Sequence, residues 1–167
     1  ESTSIPIAQM APDIAMSDMT IITPADLVVS KKLGQGGMGI VWGGMWKNKA
    51  VAVKEMLPLT GEEIDQFQQF QKESFVMTNL HHPNLVKLYG VTPANPMRMV
   101  LEFLAGGDLE KKMHPSEGES IPQDMFPWQQ RLQIALDVAK GMEHLQSIKP
   151  PILHRDLRPA NVFLTND

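Results

Sequence analysis

The first half of the chain is dominated by short apolar runs. Three such runs follow one another at residues 26–34 ("DLVVSKKLG"), 40–46 ("IVWGGMW") and 50–56 ("AVAVKEM"), with glycines or the turn "KNK" (47–49) between them. Short runs rich in β-branched and aromatic residues, bounded by turn residues, are typical of β-strands. The pattern therefore predicts three consecutive strands joined by tight turns.

A helical period follows at residues 61–80, "GEEIDQFQQFQKESFVMTNL". Mostly apolar residues recur in it every three or four positions and would share one side of a helix, which predicts an amphipathic helix. The residues on that side are Ile64, Phe67, Phe70, Ser74, Met77 and Leu80. Pro83 ends the period, and two more strands are predicted at 85–91 and 97–104. Three strands, one helix and two strands suit a five-stranded antiparallel sheet with a single helix.

The last third of the chain returns to a helical period after the breaker "AGGDL" (105–109). Residues 127–146 predict a helix in which Pro127 suits the first helical position. Its expected apolar side consists of Leu132, Leu136, Ala139, Met142 and Leu145. Residues 153–164 are predicted to form a loop that runs into a strand. The expected fold class is α+β, a small sheet unit followed by the start of a mainly helical unit, incomplete.

Composition narrows the classes of protein to consider. The chain has 167 residues, a net charge of −4 and no cysteine. This charge gives no basic field for nucleic acid, and the lack of cysteine excludes disulfides and Cys-ligated zinc. No apolar run approaches the roughly 18 residues of a membrane span. Residues 1–21 mix Ser, Ala, Pro and Met without a period and are predicted to be a linker. We expect the sequence to be an excerpt from a longer polypeptide.

Three glycines between the first two predicted strands have the spacing G-x-G-x-x-G. They are Gly34, Gly36 and Gly39, and this spacing alone is a weak signal. A dinucleotide-binding fold is disfavoured, because a strand and not a helix follows the glycines. The functional interpretation is a hairpin whose backbone N–H groups lie over nucleotide phosphates, where a Cβ would keep the backbone away from the anion. The alternative is a hairpin turn without a ligand.

Lys54 and Glu73 form a candidate ion pair. Lys54 ends the third predicted strand, and Ala52 on the same face leaves room for a flat ring. Glu73 borders the apolar side of the first predicted helix, where an unpaired buried carboxylate would be costly. Lys54 is the expected partner of Glu73. The alternative is that both side chains are simply solvated.

The segment "HRDLRPAN" (154–161) carries the strongest signal. Asp156 and Asn161 lie five residues apart in a loop constrained by Pro159. An asparagine oxygen can ligate Mg²⁺, and an aspartate can accept a proton from an attacking hydroxyl. Either residue alone carries little information, but their order after the glycine hairpin, Lys54 and Glu73 argues against coincidence.

In these four ordered motifs the chain resembles the protein kinases, from about residue 22 to residue 167. The segments "FQQFQKESFVMTNLHHPNLVKLYG" and "HRDLRPANVFL" are similar to those of the tyrosine-kinase-like group, and within it to the Roco family of leucine-rich-repeat kinases. The resemblance implies a small lobe at 22–104 and the start of a large lobe at 105–167. The Asp-Phe-Gly segment of the family is expected after Asp167.

The resemblance also implies a nucleotide site. The backbone around Gly34, Gly36 and Gly39 is expected to cover the ATP phosphates, and Lys54 to hold the α- and β-phosphates while paired with Glu73. The residues expected around the adenine are Leu33, Val41, Ala52 and Phe163 on its two faces, Leu101 behind it, and Glu102 and Leu104 at its edge through backbone groups. Asp108 is an expected ribose contact.

Three further roles follow from the resemblance. Asp156 is expected to position the protein hydroxyl, and Asn161 to bind Mg²⁺. Arg158 stands where serine/threonine kinases usually carry Lys, and it is expected to contact the transferred phosphate. Asp156, Lys54, Arg158 and Asn161 are thus the expected catalytic set, with Asn161 as the metal ligand.

The implied activity is transfer of the ATP γ-phosphate to a protein Ser or Thr hydroxyl, with Ser/Thr favoured over Tyr by Pro159 in "LRPAN". ATP and Mg²⁺ are the implied cofactors, and a protein substrate is the implied partner. The implied location is the cytoplasm, and GTPase or repeat domains are expected elsewhere in the parent protein. Residues 1–167 alone are expected to be inactive. One alternative is a pseudokinase, a nucleotide-responsive interaction module without turnover. Another is a product that ends here and binds partners through its small lobe.

Overall fold

The computed structural model describes residues 19–36, 39–56, 63–92, 96–114 and 126–166 of the chain. It divides into two units. The first comprises Glu1–His81 and Val86–Phe103, and the second comprises His82–Leu85 and Leu104–Asp167. This division differs from a single boundary at residue 105, because five residues from within the 22–104 stretch, His82–Leu85 and Leu104, belong to the second unit.

The first unit is built on five antiparallel strands in the order β1-β2-β3-β5-β4. Their bounds are Leu27–Gly36 (β1), Gly39–Trp46 (β2), Lys49–Glu55 (β3), Leu88–Thr92 (β4) and Arg98–Glu102 (β5). The predicted five-stranded antiparallel sheet is therefore confirmed. Lys47 and Asn48 join β2 to β3 with φ angles of 47° and 60°. Two positive φ angles give a hairpin turn whose twist matches that of the strands.

One helix, α1 (Glu63–Thr78), accompanies the sheet and lies within the predicted range 61–80. Phe70 and Ser74 of its predicted apolar side are buried, and Met77 packs against the core. The side chains of Ile64 and Phe67 lie outside the described residues. The helical period thus indicated the packed side of α1 at Phe70, Ser74 and Met77, but it did not predict the burial of Gln71, which is 1% exposed.

Two hydrophobic clusters stabilise the first unit, and the alternation of side chains along β3 assigns them to opposite faces of the sheet. One cluster consists of Ile22, Leu27, Val51, Val53 and Val100. The other consists of Met19, Met56, Phe70, Val91, Met97 and Met99, and it includes the contribution of α1. Ala52 and Lys54 alternate with the two β3 valines, so they lie on the face that α1 covers.

The chain already reaches the sheet before β1 begins. Ile21 forms a parallel bridge with Val91 of β4, and both Met19 and Ile22 are buried. Residues 19–21, the end of the stretch 1–21 that is predicted to be a linker, therefore pair with the sheet and pack against it. The reason is that β4 is an edge strand with free main-chain groups, and two apolar side chains gain burial beside it. Residues 1–18 lie outside the described residues.

The second unit contains two helices, α2 (Leu109–Met113) and α3 (Trp128–Ser147). The sequence pattern did not predict α2, which is too short to show a period. The structure confirms α3, but Pro127 is its N-cap and not its first helical residue. The ψ angle of Pro127 is 152°, which is extended, and an N-cap residue adopts such non-helical angles.

The strand predicted at the end of 153–164 does not form. Phe163 makes a single isolated bridge to Asp108, flanked by bonds from Leu109 N–H to Val162 O and from Leu164 N–H to Gly107 O, both 2.8 Å. A strand needs a continuous main-chain partner. Only a few residues are available here before α2 begins, so the pairing stops after one bridge.

The segment His82–Leu85 packs on α3 within the second unit. The rings of His82 and His144 stack with their centroids 4.8 Å apart. Gly141 of α3 is buried, and a Cβ on it would lie 3.0 Å from the carbonyl oxygen of Asn84. A glycine at this position therefore allows the segment to approach the helix closely.

The predicted apolar side of α3 is only partly covered. Leu145 is buried, whereas Leu132 and Leu136 are 51% and 50% exposed. Among the helices that the structure describes, none combines the length and the apolar character that a membrane crossing requires.

Candidate active site

The glycine hairpin is formed by β1 and β2, with Gly34 opposite Val41 and Gly36 opposite Gly39. Residues 37 and 38 at its tip lie outside the described residues. A Cβ added to Gly34 or Gly36 would meet no atom of the described residues within 4 Å. The packing of the protein therefore does not require glycine at these two positions, and the backbone there is open to a ligand.

Gly39 is different, because the fold itself requires it. Its φ angle is 152°, and a Cβ at this position would collide with the carbonyl oxygen of Glu55 on β3. The three glycines of the motif thus divide into one structural residue and two residues that leave space above the hairpin.

Lys54 and Glu73 are in direct contact, as the sequence predicts. Lys54 Nζ donates to Glu73 Oε1 at 2.6 Å, and the two side chains are only 17% and 31% exposed. The residues lie 19 positions apart, so the contact requires both β3 and the seated helix α1. A partly buried ammonium held in this way can offer its remaining N–H donors to an anion.

Four of the residues expected around the adenine, Leu33, Val41, Ala52 and Leu101, lie on one face of the sheet in the first unit. Gly43 pairs with Ala52, and Ala52 pairs with Leu101. Val41 pairs with Lys54 on the same face. The side chain of Leu33 lies 3.7 Å from where a Cβ on Gly43 would be. Small residues at 43 and 52 therefore leave a shallow apolar surface next to the ammonium group of Lys54.

Glu102 and Leu104, the residues expected at the adenine edge, lie further along the chain. The N–H of Glu102 donates to the carbonyl oxygen of Lys87 at 2.9 Å, and the carbonyl oxygen of Leu104 accepts from the N–H of Gly107 at 3.2 Å. Glu102 closes β5 in the first unit, and Leu104 begins the second unit. Their expected contacts with an adenine edge remain predictions.

The second unit holds Asp156, Arg158 and Asn161 together in one short loop. Asn161 Nδ2 donates to Asp156 Oδ2 at 2.7 Å and to the main-chain oxygen of Asp156 at 2.8 Å. Arg158 Nε lies 3.3 Å from Asp156 Oδ1. Because the amide nitrogen of Asn161 is engaged as a donor, its oxygen is left as the acceptor that a hard cation would use.

The main chain of this loop is fixed by local contacts. Pro159–Asn161 form a 3₁₀ turn, in which the N–H of Asn161 donates to the carbonyl oxygen of Arg158 at 2.9 Å. Arg155 has a φ angle of 62°, an uncommon conformation for a residue other than glycine. The side chains of Asp156 and Arg158 are 64% and 59% exposed, so a substrate in solution can reach them.

Asp108 and Phe163 also lie in the second unit, joined by their isolated bridge. Asp108 is the N-cap of α2, and its Oδ1 accepts from the N–H of Lys111 at 2.8 Å. Burial acts to raise the pKa of Asp108, but hydrogen bonds and the charge of Lys111 outweigh it, so this pKa is lowered. The cap therefore occupies one carboxylate oxygen of the residue expected to contact a ribose.

Sequence reasoning did not foresee the cap or the Asp156–Asn161 bond. A signal for the cap was present, since an aspartate followed by "LEKK" has the residue order of a capped helix start. The described residues contain no group of three or more His, Cys, Asp or Glu side chains that could hold a metal ion. The expected role of Asn161 as a Mg²⁺ ligand remains a prediction.

Comparison with known proteins gives consistent matches. Residues 27–167 match the family described as protein tyrosine and serine/threonine kinase. The chain is 33% identical over 98% of its length to the probable serine/threonine-protein kinase qkgA of Dictyostelium discoideum. Over 98% and 81% of its length it is 35% and 40% identical to the probable serine/threonine-protein kinases roco11 and roco6 of the same organism. It spans 12%, 11% and 6% of these three relatives.

Proposed function

Because the chain belongs to the protein tyrosine and serine/threonine kinase family, we propose that it carries the ATP site of a kinase that phosphorylates serine or threonine in proteins. The observation that carries this proposal is the 2.6 Å contact between Lys54 and Glu73. The contact places a fixed ammonium group beside the shallow apolar face and the open glycine hairpin. The matched relatives named as serine/threonine kinases and Pro159 support the choice of acceptor.

In the first unit, the proposed role of the hairpin is to cover the phosphates with backbone N–H groups at Gly34 and Gly36. Gly39 keeps the hairpin close to β3. Lys54 donates to the α- and β-phosphate oxygens, and Glu73 holds the ammonium in place. Leu33, Val41, Ala52 and Leu101 provide the apolar surface for the adenine ring, with Glu102 at its edge.

In the second unit, Asp156 accepts the proton of the attacking hydroxyl. The hydroxyl oxygen forms a bond to the γ-phosphorus while the bond from phosphorus to the β–γ bridging oxygen breaks, and ADP leaves. Arg158 stabilises charge on the transferred group. Asn161 offers its amide oxygen to Mg²⁺, which when bound neutralises phosphate charge. Leu104, Asp108 and Phe163 are proposed to contribute an adenine edge contact, a ribose contact and an adenine face.

These assignments correspond to a small lobe at 22–104 and the beginning of a large lobe at 105–167. The family's Asp-Phe-Gly aspartate, the other metal ligand, is not among residues 1–167. We therefore expect residues 1–167 alone to bind nucleotide weakly and not to turn over. We also propose that the full gene product contains repeat or GTPase domains and is located in the cytoplasm.

The experiment is a phosphotransfer assay on the full gene product with Mg²⁺, ATP and a generic protein acceptor. Lys54→Met is expected to lower kcat/KM by roughly 100-fold or more, since removing one fixed donor to a developing charge has this effect. Lys49→Met is the matched control. Lys49 lies on the same strand but alternates to the other face, 6.0 Å from the ring of Tyr89, so activity should be retained.

Three outcomes distinguish the functions considered. Loss of activity in Lys54→Met, with activity retained in Lys49→Met, supports the kinase assignment. Nucleotide binding without turnover in the unmodified gene product indicates a pseudokinase instead. No affinity for Mg²⁺-ATP in the unmodified gene product overturns the proposal.

A further inference from the structure

Residues Met19–Ile22, which we call the strap, pair with the free edge of the sheet. The N–H of Ile22 donates to the carbonyl oxygen of Val91 at 2.8 Å, and the N–H of Val91 donates to the carbonyl oxygen of Thr20 at 2.9 Å. The strap thus extends β4 on its outer side by two main-chain hydrogen bonds. The family match begins only at Leu27, so the strap lies outside the part of the chain that matches the family.

Gly90 of β4 is shaped for the strap. A Cβ at this position would collide with the carbonyl oxygen of Thr20, and it would lie 3.0 Å from two side-chain atoms of Ile22. All three nearest atoms belong to the strap. A side chain at residue 90 would therefore push the strap away before it disturbed another part of the sheet.

The strap also contributes to the core that seats α1. Met19 is 6% exposed and belongs to the same hydrophobic cluster as Phe70 of α1. Met77 of α1 packs against this cluster as well. Glu73 lies between these two residues on the helix, three positions after Phe70 and four before Met77. The cluster that includes Met19 therefore holds α1 on both sides of the carboxylate.

The seating of α1 has a polar cost that apolar contacts must offset. Gln71 and Ser74 are 1% and 0% exposed, and none of their side-chain polar atoms has a hydrogen-bond partner among the residues that the structure describes. Buried polar groups without partners destabilise the packed arrangement. The position of α1 therefore depends strongly on the apolar contacts that remain, including those of Met19.

We propose that the strap is a positioning element for the Lys54–Glu73 contact. By pairing with β4 and placing Met19 in the core, it holds α1 where Glu73 reaches Lys54. Met19 is the main positioning residue, and it acts through α1 without touching substrate. The consequence for phosphotransfer rests on the proposed function, whereas the consequence for the seating of α1 does not.

The test uses Gly90→Ala, which displaces the strap, and Met19→Ala, which removes its apolar anchor. Ile21→Ala is the matched control, because this strap side chain is 51% exposed. Met19→Leu is the conservative variant. Amide hydrogen exchange of residues 70–78 is measured on each chain, and kcat and KM are measured on the full gene product.

We expect exchange of residues 70–78 to quicken about 10-fold in Gly90→Ala and Met19→Ala, and to stay unchanged in Ile21→Ala and Met19→Leu. We expect kcat to fall roughly 5-fold or more in the first two variants. In a Glu73→Gln background the same two substitutions should have little further effect on kcat, because the residue through which they act is already changed.

Three results would overturn the proposal. The first is unchanged exchange of α1 in both Gly90→Ala and Met19→Ala. The second is quickened exchange with an unchanged kcat, and the third is an equal loss of kcat with and without Glu73→Gln. If the unmodified gene product has no kinase activity, the proposed function fails, and the exchange measurement still decides whether the strap seats α1.

Discussion

The two units hold their charged residues in different ways. In the first unit, Lys54 and Glu73 come from a strand and a helix, 19 residues apart, and their side chains are largely shielded from solvent. In the second unit, Asp156, Arg158 and Asn161 lie within six consecutive residues, and Asp156 and Arg158 are more than half exposed. One arrangement depends on tertiary packing, and the other depends on the local conformation of a loop.

The packing of the two units differs in the same sense. Both hydrophobic clusters that the structure describes belong to the first unit. In the second unit, several large apolar side chains are about half exposed or more, including Leu132, Leu153 and Leu157. A local loop can keep its conformation on a less complete core, whereas a contact between a strand and a helix cannot. We therefore expect disturbances of packing to affect Lys54 more than Asp156.

The largest expected effect is that of Asp156→Asn in the full gene product. Removing the proposed proton acceptor is expected to lower kcat by about 10²- to 10⁴-fold. Stability should hardly change, because the side chain is 64% exposed and Asn can still occupy the loop. Asp137→Asn on α3 is the control for loss of one carboxylate. A fall in the unfolding midpoint that accounts for the lost activity would show that the loop is not locally determined.

The glycine hairpin gives the next largest effect. Gly39→Ala is expected to destabilise the chain by about 1–3 kcal/mol. The alanine would have to adopt the positive φ angle of this position, and its Cβ would clash with the carbonyl oxygen of Glu55. Gly36→Ala should leave stability unchanged or slightly higher, while it weakens binding of Mg²⁺-ATP. Denaturant unfolding and nucleotide titration of both variants provide the measurement. Equal destabilisation by the two substitutions would contradict the division of roles.

The smallest effect concerns Asp108 and pH. Its pKa is lowered in the folded state, so its contribution to stability is fully present above the pKa of the unfolded chain, about 4, and is lost as pH falls through the folded-state value. Asn at this position keeps the capping oxygen but not the charge. The wild type should exceed Asp108→Asn by about 0.5–1 kcal/mol at pH 7.

Thermal unfolding from pH 7 to pH 3 measures that difference. It should shrink below about pH 4, as the wild-type carboxyl becomes protonated and resembles the amide. A difference that is constant over this range would show that the charge of Asp108 does not contribute to the capped helix start.

Much of the first unit could be predicted from the sequence, because its strands and α1 have clear periods and tight turns between them. The Lys54–Glu73 contact also followed, since a carboxylate beside an apolar helix side requires a partner. The strap could not be predicted in this way. Four residues carry no period, and pairing with β4 is decided by the free edge of that strand and by Gly90.

In the second unit, α3 was predictable for the same reason as α1. The missing strand at Phe163 and the presence of α2 were not, because both depend on the few residues around Asp108. Once Asp108 caps α2, the residues after Leu109 follow the helix, so the pairing with 162–164 cannot extend past the single bridge at Asp108. The carboxylate thus decides between two local structures, and apolar periodicity contains no information about that competition.

The packing of His82–Leu85 on α3 has a practical consequence for protein engineering. A chimera that exchanges residues 105–167 with a relative would leave these four residues behind, and with them the ring that stacks on His144 and the carbonyl group that faces Gly141. The introduced helix would then contact residues from a different protein at both of these positions. A transplant that preserves the native fit must therefore take two separate stretches of sequence together.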